Sequence, residues 1–123
     1  IERANEVNLE MPKYIVDRVS TDNGETLKGK KVQVIGVAYK PDVSDVRETP
    51  AELVLRELES RGAVTSWHDP LVKRWRGQES TLLGGSDIAI VVTLHSEMDK
   101  NAIIDSAPYV FDTTGKIPGV KGL

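Results

Sequence analysis

The 123-residue chain contains no cysteine. Disulfides, cysteine-ligated zinc and thiol catalysis are therefore excluded within it. It has no run of about 18 consecutive apolar residues, so no membrane-spanning helix is expected. The opening residues, IERANEVNLE, hold no apolar signal core. Nor is there an excess of positive charge. Sixteen Lys and Arg stand against 19 Asp and Glu, for a net charge of −3, and the pI is near 5.4. That balance argues against a nucleic-acid or membrane-surface protein, which would need a basic face. One short basic cluster, KRWRG (73–77), reads as a solvated face. A hydrophobic content of 39% and a charged content of 28% are ordinary for a globular domain, and the length fits one domain. A cytoplasmic setting fits these absences, and the start at Ile1, in mid-pattern, reads as part of something longer.

What is present is a regular alternation. Ile1, Ala4, Val7, Met11, Tyr14, Ile15 and Val19 recur at three- and four-residue steps. This predicts a helix over residues 1–19 with one apolar stripe, kinked or ended at Pro12. STDNGETLKGKK (20–31) reads as a polar linker. KVQVIGVAY (31–39) is a β-branched run with the look of a buried strand. TPAELVLRELESRG predicts a helix with Thr49 at the N-cap, Pro50 at N1, Glu52 at N3 and Gly62 as its stop. AVTSWHDP (63–70) is a short strand stopped by Pro70. VKRWRGQESTLLGG reads as irregular or briefly helical. SDIAIVVTLH (86–95) is a second strongly apolar strand, EMDKNAIIDS a short helix, and YVFDTTG (109–115) a last strand.

Strands alternating with helices predict a parallel sheet with helices on both faces. The fold expected is an α/β, three-layer αβα Rossmann-like sheet of about four to five strands, preceded by one helix. Ligands bind such sheets beyond the carboxyl ends of the strands, near the switch in strand order. Lys40, Asp69, His95 and Thr114 fall along that rim.

The stretch GVAYKPDVSDVRETPAELVLREL (36–58) gathers two cations, Lys40 and Arg47, with three carboxylates, Asp42, Asp45 and Glu48, where a strand gives way to a helix. A helix opening at Thr49 offers free backbone N–H groups and a positive dipole end. With Lys40 and Arg47 these make an anion site suited to phosphates. The alternative is that the two cations pair with the three carboxylates on a solvated loop. A dinucleotide turn, G-x-G-x-x-G, is missing: GVAYKP supplies only Gly36. Asp69 has the place of a ribose-binding acid, but a phosphate held by side chains is the better fit.

GVAYKPDVSDVRETPA, with RGAVTSWHDPLV and SDIAIVVTLHSEM after it, resembles the C-terminal, UDP-binding domain of the nucleotide-sugar 6-dehydrogenases. That family includes the UDP-glucose and UDP-N-acetylhexosamine (mannosamine or glucosamine) enzymes, and the AYKP wording leans toward the second branch. The resemblance covers nearly the whole chain. It implies that residues 1–20 end a central helix that joins two domains and forms the dimer core. Residues 21–30 would be a linker, and 31–123 the UDP-sugar-binding domain. In the family a separate N-terminal domain binds NAD, and a cysteine carries the thiohemiacetal and thioester steps while the C6 alcohol is oxidised twice to a uronic acid. This chain would then hold the uridine-diphosphate half of the substrate site and no catalytic residue. Tyr39 and Lys40 match the aromatic-lysine pair that contacts the UDP-sugar. Arg47 matches an arginine that reaches NAD on the other domain. The family's D-T-[RK]-G is here DTTG, so Thr114, with Lys116 two residues on, replaces a basic contact. The implied partners are a UDP-sugar, the enzyme's own NAD domain and a second copy.

Other readings weigh less. His68 and His95 end different strands without ligand partners at recognisable spacing, so hydrogen-bonded structural roles are expected rather than a metal site. Asp69-Pro70 reads as a strand stop, Trp67 and Trp75 as packing residues, and Asp112 as a group that orients the rim. A phosphoacceptor receiver domain would need acids where Tyr39, Lys40 and Thr93 stand. A stand-alone nucleotide-binding or regulatory module is the surviving alternative.

Overall fold

A computed structural model describes the backbone of residues 2–123 and the side chains from Met11 onward. Helix α1 (Glu2–Asp22) leads into β1 (Lys31–Ile35), α2 (Pro50–Ser60) and β2 (Val64–His68). A two-stranded hairpin follows, β3 (Arg74–Trp75) and β4 (Gln78–Glu79). Then come β5 (Ile88–Val91), α3 (Lys100–Ile104), β6 (Tyr109–Asp112) and β7 (Lys121–Gly122). The main sheet runs β2-β1-β5-β6-β7, every pair parallel. The expected α/β parallel sheet is therefore present, with five strands. From β1 the chain moves outward to β2, then returns past β1 to β5. The order reverses between β1 and β5, and the crevice above their carboxyl ends is where such sheets hold ligands.

Each strand feeds both faces. Val32 and Val34 of β1, Ile88 and Ile90 of β5, and Phe111 of β6 pack with α1 and α2 through Val16, Val19, Val54, Leu55 and Leu58. Ile35, Ala89, Val91 and Val110 face the other way, toward Ile103 of α3 and Ile117. On α2 the buried residues Ala51, Val54, Leu55 and Leu58 follow the i, i+3, i+4, i+7 stripe of an amphipathic helix. Fully burying each of the two leucines contributes roughly 1.5–3 kcal/mol. Gln33 is the polar intruder at 1% exposure. Its amide donates to Thr81 Oγ1 and the Leu82 carbonyl and accepts from Gly84 N–H, so its burial leaves nothing unmet.

Several expectations are corrected. α1 does not end at Pro12 but runs on to Asp22. Proline removes one backbone hydrogen bond, and burial of Ile15, Val16 and Val19 outweighs that loss. The stripe is also displaced: Tyr14 is 48% exposed while Val16 is fully buried. The side chains of Ile1, Ala4 and Val7 lie outside the described residues. The linker starts after Asp22 and is not wholly polar, since Leu27 is buried. β1 stops at Ile35 because Gly36 turns at φ +79°. The segment read as irregular or helical is the β3–β4 hairpin, whose two-residue turn, Arg76-Gly77, has φ of 55° and 72°. Two successive positive φ values match the type I′ geometry that suits a hairpin's twist.

Candidate functional site

The loop from Gly36 to Thr49 leaves β1 at the switch point, and its path is set by backbone bonds to neighbouring strands. Gly36 donates to the His68 carbonyl at 2.8 Å. A Cβ at Gly36 would lie 1.7 Å from the Thr93 carbonyl oxygen, so only glycine lets the loop pass this close to the β5 exit. Val37 and Ala38 then donate their N–H groups to Asp69 Oδ2 at 2.9 and 3.1 Å. Thr93 Oγ1 donates to the Ala38 carbonyl at 2.7 Å. Farther along, Tyr39 N–H meets the Asp45 carbonyl, and Asp42, at φ 66°, donates its N–H to His95 Nδ1 at 2.8 Å.

Tyr39 and Lys40 project from this frame into solvent. They line a groove of about 700 Å³ with Val46, Glu48, Thr49, Pro50, Glu52, Leu53 and Trp75. The wall is mixed: apolar faces from Pro50, Leu53 and Trp75, a phenol, an ammonium, and two carboxylates, of which Glu52 is already paired with Arg56 and Arg76. Lys40 has no hydrogen-bond or ion-pair partner among the described residues. Tyr39 also borders a second groove, of about 450 Å³, with Asp45, Arg47 and Glu48. There Arg47 binds Asp45 at 2.9 Å, with its side chain 87% exposed. These bonds hold the Asp45 carboxyl well down, to about 2, and hold the guanidinium above its ordinary value. The Asp42 carboxylate is lowered chiefly by hydrogen bonds from the hydroxyl and N–H of Ser96.

The charge cluster therefore divides. Arg47 pairs within the loop, Asp42 ties the loop to Ser96, and Lys40 is left for something else. The expectation of free N–H groups at the start of α2 is corrected. Pro50 has none, Ala51 N–H is taken by Thr49 Oγ1 at 3.2 Å, and Glu52 N–H by the Thr49 carbonyl. Glu52 closes no reciprocal capping box but pairs with Arg56 and Arg76. Positive character in the groove comes from Lys40 and the helix dipole, set against the lining carboxylates of Glu48 and of the Arg-paired Glu52.

Thr114 and Lys116 line neither groove. They sit in the β6–β7 loop around the buried Asp112, which accepts from the Thr114 hydroxyl and N–H and from the N–H groups of Lys116 and Ile117. Asp112 thus orients this part of the rim, as the sequence suggests. Among the described residues no group of acidic or histidine side chains could hold a metal ion. No described helix is long and apolar enough to cross a membrane.

Residues 33–118 match the family described as the UDP-glucose/GDP-mannose dehydrogenase family, UDP binding domain. The chain belongs to this family. A UDP-N-acetyl-D-mannosamine dehydrogenase of Methanococcus maripaludis is 32% identical over 125 residues, covering 92% of this chain and 29% of the relative. A UDP-glucose 6-dehydrogenase of Rickettsia bellii is 38% identical over 64 residues, 52% of this chain and 15% of that protein. The solved UDP-N-acetyl-mannosamine dehydrogenase Cap5O from Staphylococcus aureus superposes with a TM-score of 0.71 at 27% identity, over 96% of this chain and 30% of that one. The chain thus spans under a third of the length of these relatives. The resemblance read from the AYKP and RETP stretches is borne out.

Within this UDP-binding domain, three residues have roles that sequence reasoning missed or misread. Asp69 is no ribose-binding acid: its side chain is 0% exposed and its oxygens face the protein. It does end β2, but it also organises the loop after β1. Trp75 does pack, meeting Trp67 edge-on at 5.6 Å, and it also walls the groove. Arg76 is not solvated. It grips Glu52 and Glu59 of α2 at 3.2 and 2.9 Å and so docks the hairpin beside the site. The Arg-Gly pair between two short polar-apolar runs was the signal that could have exposed the hairpin. His68 and His95 have the hydrogen-bonded roles expected, with Thr81 and with Asp69 and Asp42.

Proposed function

We propose that the chain supplies the UDP-binding part of a nucleotide-sugar 6-dehydrogenase. Such an enzyme would oxidise a UDP-hexose or UDP-N-acetylhexosamine at C6 to the uronic acid, two hydrides passing to two NAD and one water entering the product. The observation that carries this reading is the pairing of a largely apolar groove with one uncommitted ammonium, Lys40, between the loop that leaves β1, the start of α2 and the hairpin of a family-matched domain. A nucleoside diphosphate presents those two needs, a flat base for apolar and aromatic walls and a dianionic tail for a cation. Tyr39 and Lys40 take the UDP-sugar, with Thr114 and Lys116 as contacts from the neighbouring loop. When bound, NAD supplies the hydride acceptor. Arg47 of this chain fits it, since its exposed guanidinium leaves Nη1 without a partner among the described residues and can meet an anion outside this domain. Residues 1–20 end the helix that joins this domain to an N-terminal NAD domain and to a second copy. The enzyme works in the cytoplasm, in polysaccharide biosynthesis. Titration calorimetry of the 123-residue chain with UDP, UMP and uridine tests the core of the reading. UDP should bind most tightly, and equal weak heats from all three would overturn it.

A further inference from the structure

A fully enclosed polar pair lies directly under the loop that carries Tyr39 and Lys40. The side chains of Asp69 and His95 are both 0% exposed. A carboxylate so buried is costly unless donors surround it. Asp69 has four: Val37 N–H, Ala38 N–H, Leu71 N–H and His95 Nε2, all between 2.8 and 3.1 Å. The other imidazole nitrogen accepts from Asp42 N–H at 2.8 Å. A nitrogen that accepts carries no proton, so the His95 ring is neutral with its hydrogen on Nε2, aimed at Asp69. Orientation and tautomer are thus both fixed.

What this unit holds is specific. Its backbone contacts in the loop fall at residues 37, 38 and 42, on either side of Tyr39-Lys40. Asp42 sits at φ 66°, a conformation that non-glycine residues adopt at a cost and keep only where the surroundings impose it. His95 is the group that meets its amide. We propose that His95 is a positioning residue of the nucleotide site. Its Nδ1 fixes the turn after Lys40, so that the ammonium is held toward the groove before ligand arrives. This rests on the reading of the groove as the UDP site.

Two substitutions separate the ring's two bonds. His95→Asn keeps an acceptor near the Nδ1 position and loses the donor to Asp69, whereas His95→Gln keeps a donor near Nε2 and loses the acceptor. Amide hydrogen exchange, UDP calorimetry and melting temperature are measured on the full chain. His95→Gln should open the Asp42 amide to exchange and weaken UDP binding about fivefold to thirtyfold, because the competent loop becomes a minority state. His95→Asn should hold Asp42 protection and UDP affinity within about twofold while melting lower. The proposal is overturned if His95→Gln exposes the Asp42 amide yet binds UDP normally. It also fails if Asn and Gln lose affinity equally. A wild-type chain that ignores UDP overturns the nucleotide reading instead. The Asp42 amide tells the two failures apart, since its exchange is read without ligand.

Discussion

Gly36→Ala should unfold the domain, whereas the same change at Gly29 should cost only the strain of its backbone angle. The two glycines have nearly equal φ, +79° and +76°, so the intrinsic penalty for placing an L-residue there is nearly the same, about 1–2 kcal/mol. They differ in what a new methyl would meet. At Gly29 nothing lies within 4 Å; at Gly36 the methyl carbon would sit 1.7 Å from the Thr93 oxygen, 2.6 Å from its carbon and 2.9 Å from its nitrogen. All three atoms are backbone, so no side chain can swing aside. Relief requires β1 and β5 to part where Val92 N–H bonds the Ile35 carbonyl at 2.9 Å, in a core packed at crystal-like density. A cost above about 4 kcal/mol is expected, against a total stability of about 5–15 kcal/mol for a domain. Urea unfolding followed by tryptophan fluorescence would compare the two variants with wild type. Gly29→Ala should lower stability by about 1–2 kcal/mol with an unchanged slope, and Gly36→Ala should show no folded baseline or a stability lower by more than about 4 kcal/mol. Equal midpoints would refute the claim that close approach, and not φ alone, demands glycine at the switch point.

Removing Lys40 tests the groove without touching the fold, because that ammonium has no protein partner among the described residues. Lys40→Ala should keep the melting temperature and weaken UDP binding by about 10- to 150-fold, the range for a charge-assisted contact of roughly 1.5–3 kcal/mol. Arg47→Ala should leave UDP affinity in this chain within about twofold and, in the intact dehydrogenase, act chiefly on the Michaelis constant for NAD. Equal effects of both changes on both ligands would mark a merely structural loop. The Asp45 carboxyl, held down to about 2, stabilises the loop at pH values above the ordinary carboxylate range and releases it as pH falls through the lowered value. In NMR titration Asp45 should therefore keep its charged-state shift at about pH 4 and Asp42 should titrate below the ordinary carboxylate value, and titration of both near the ordinary value of about 3.9 would contradict the bonding described. With NAD and UDP-sugars the chain alone should form no NADH above a blank, having neither a cysteine nucleophile nor a dinucleotide glycine turn.

Much of this architecture was legible in the chain because its signals are local. Thr49-Pro50 marks a helix start and Gly62 its end, and the apolar runs at 31–39 and 86–95 mark buried strands, which pairing confines to Lys31–Ile35 and Ile88–Val91. The two-residue strand at Lys121–Gly122 carries no such signal, since pairing to β6 alone defines it. The site divides along the same line. Tyr39, Lys40 and Arg47 stood out as residue types in a motif, but which cation is committed depends on the Arg47–Asp45 geometry. The organising role of Asp69 beyond a strand stop was missed because it is relational: its donors lie 31 and 32 positions away in Ala38 and Val37 and 26 away in His95. No window along the sequence brings them together.

The Trp67–Trp75 contact has an optical consequence. These are the chain's two tryptophans, one sealed at 1% exposure and the other forming part of the groove wall, with rings 5.6 Å apart at 78°. The inner indole emits from a dry environment and the outer one from a wet environment. A molecule entering the groove would change the outer chromophore directly, and the inner one through exciton coupling and energy transfer across the edge-to-face pair. The domain thus carries its own label-free reporter: occupancy can be followed as a blue shift or quenching of its native emission, or in near-ultraviolet dichroism, with no dye attached.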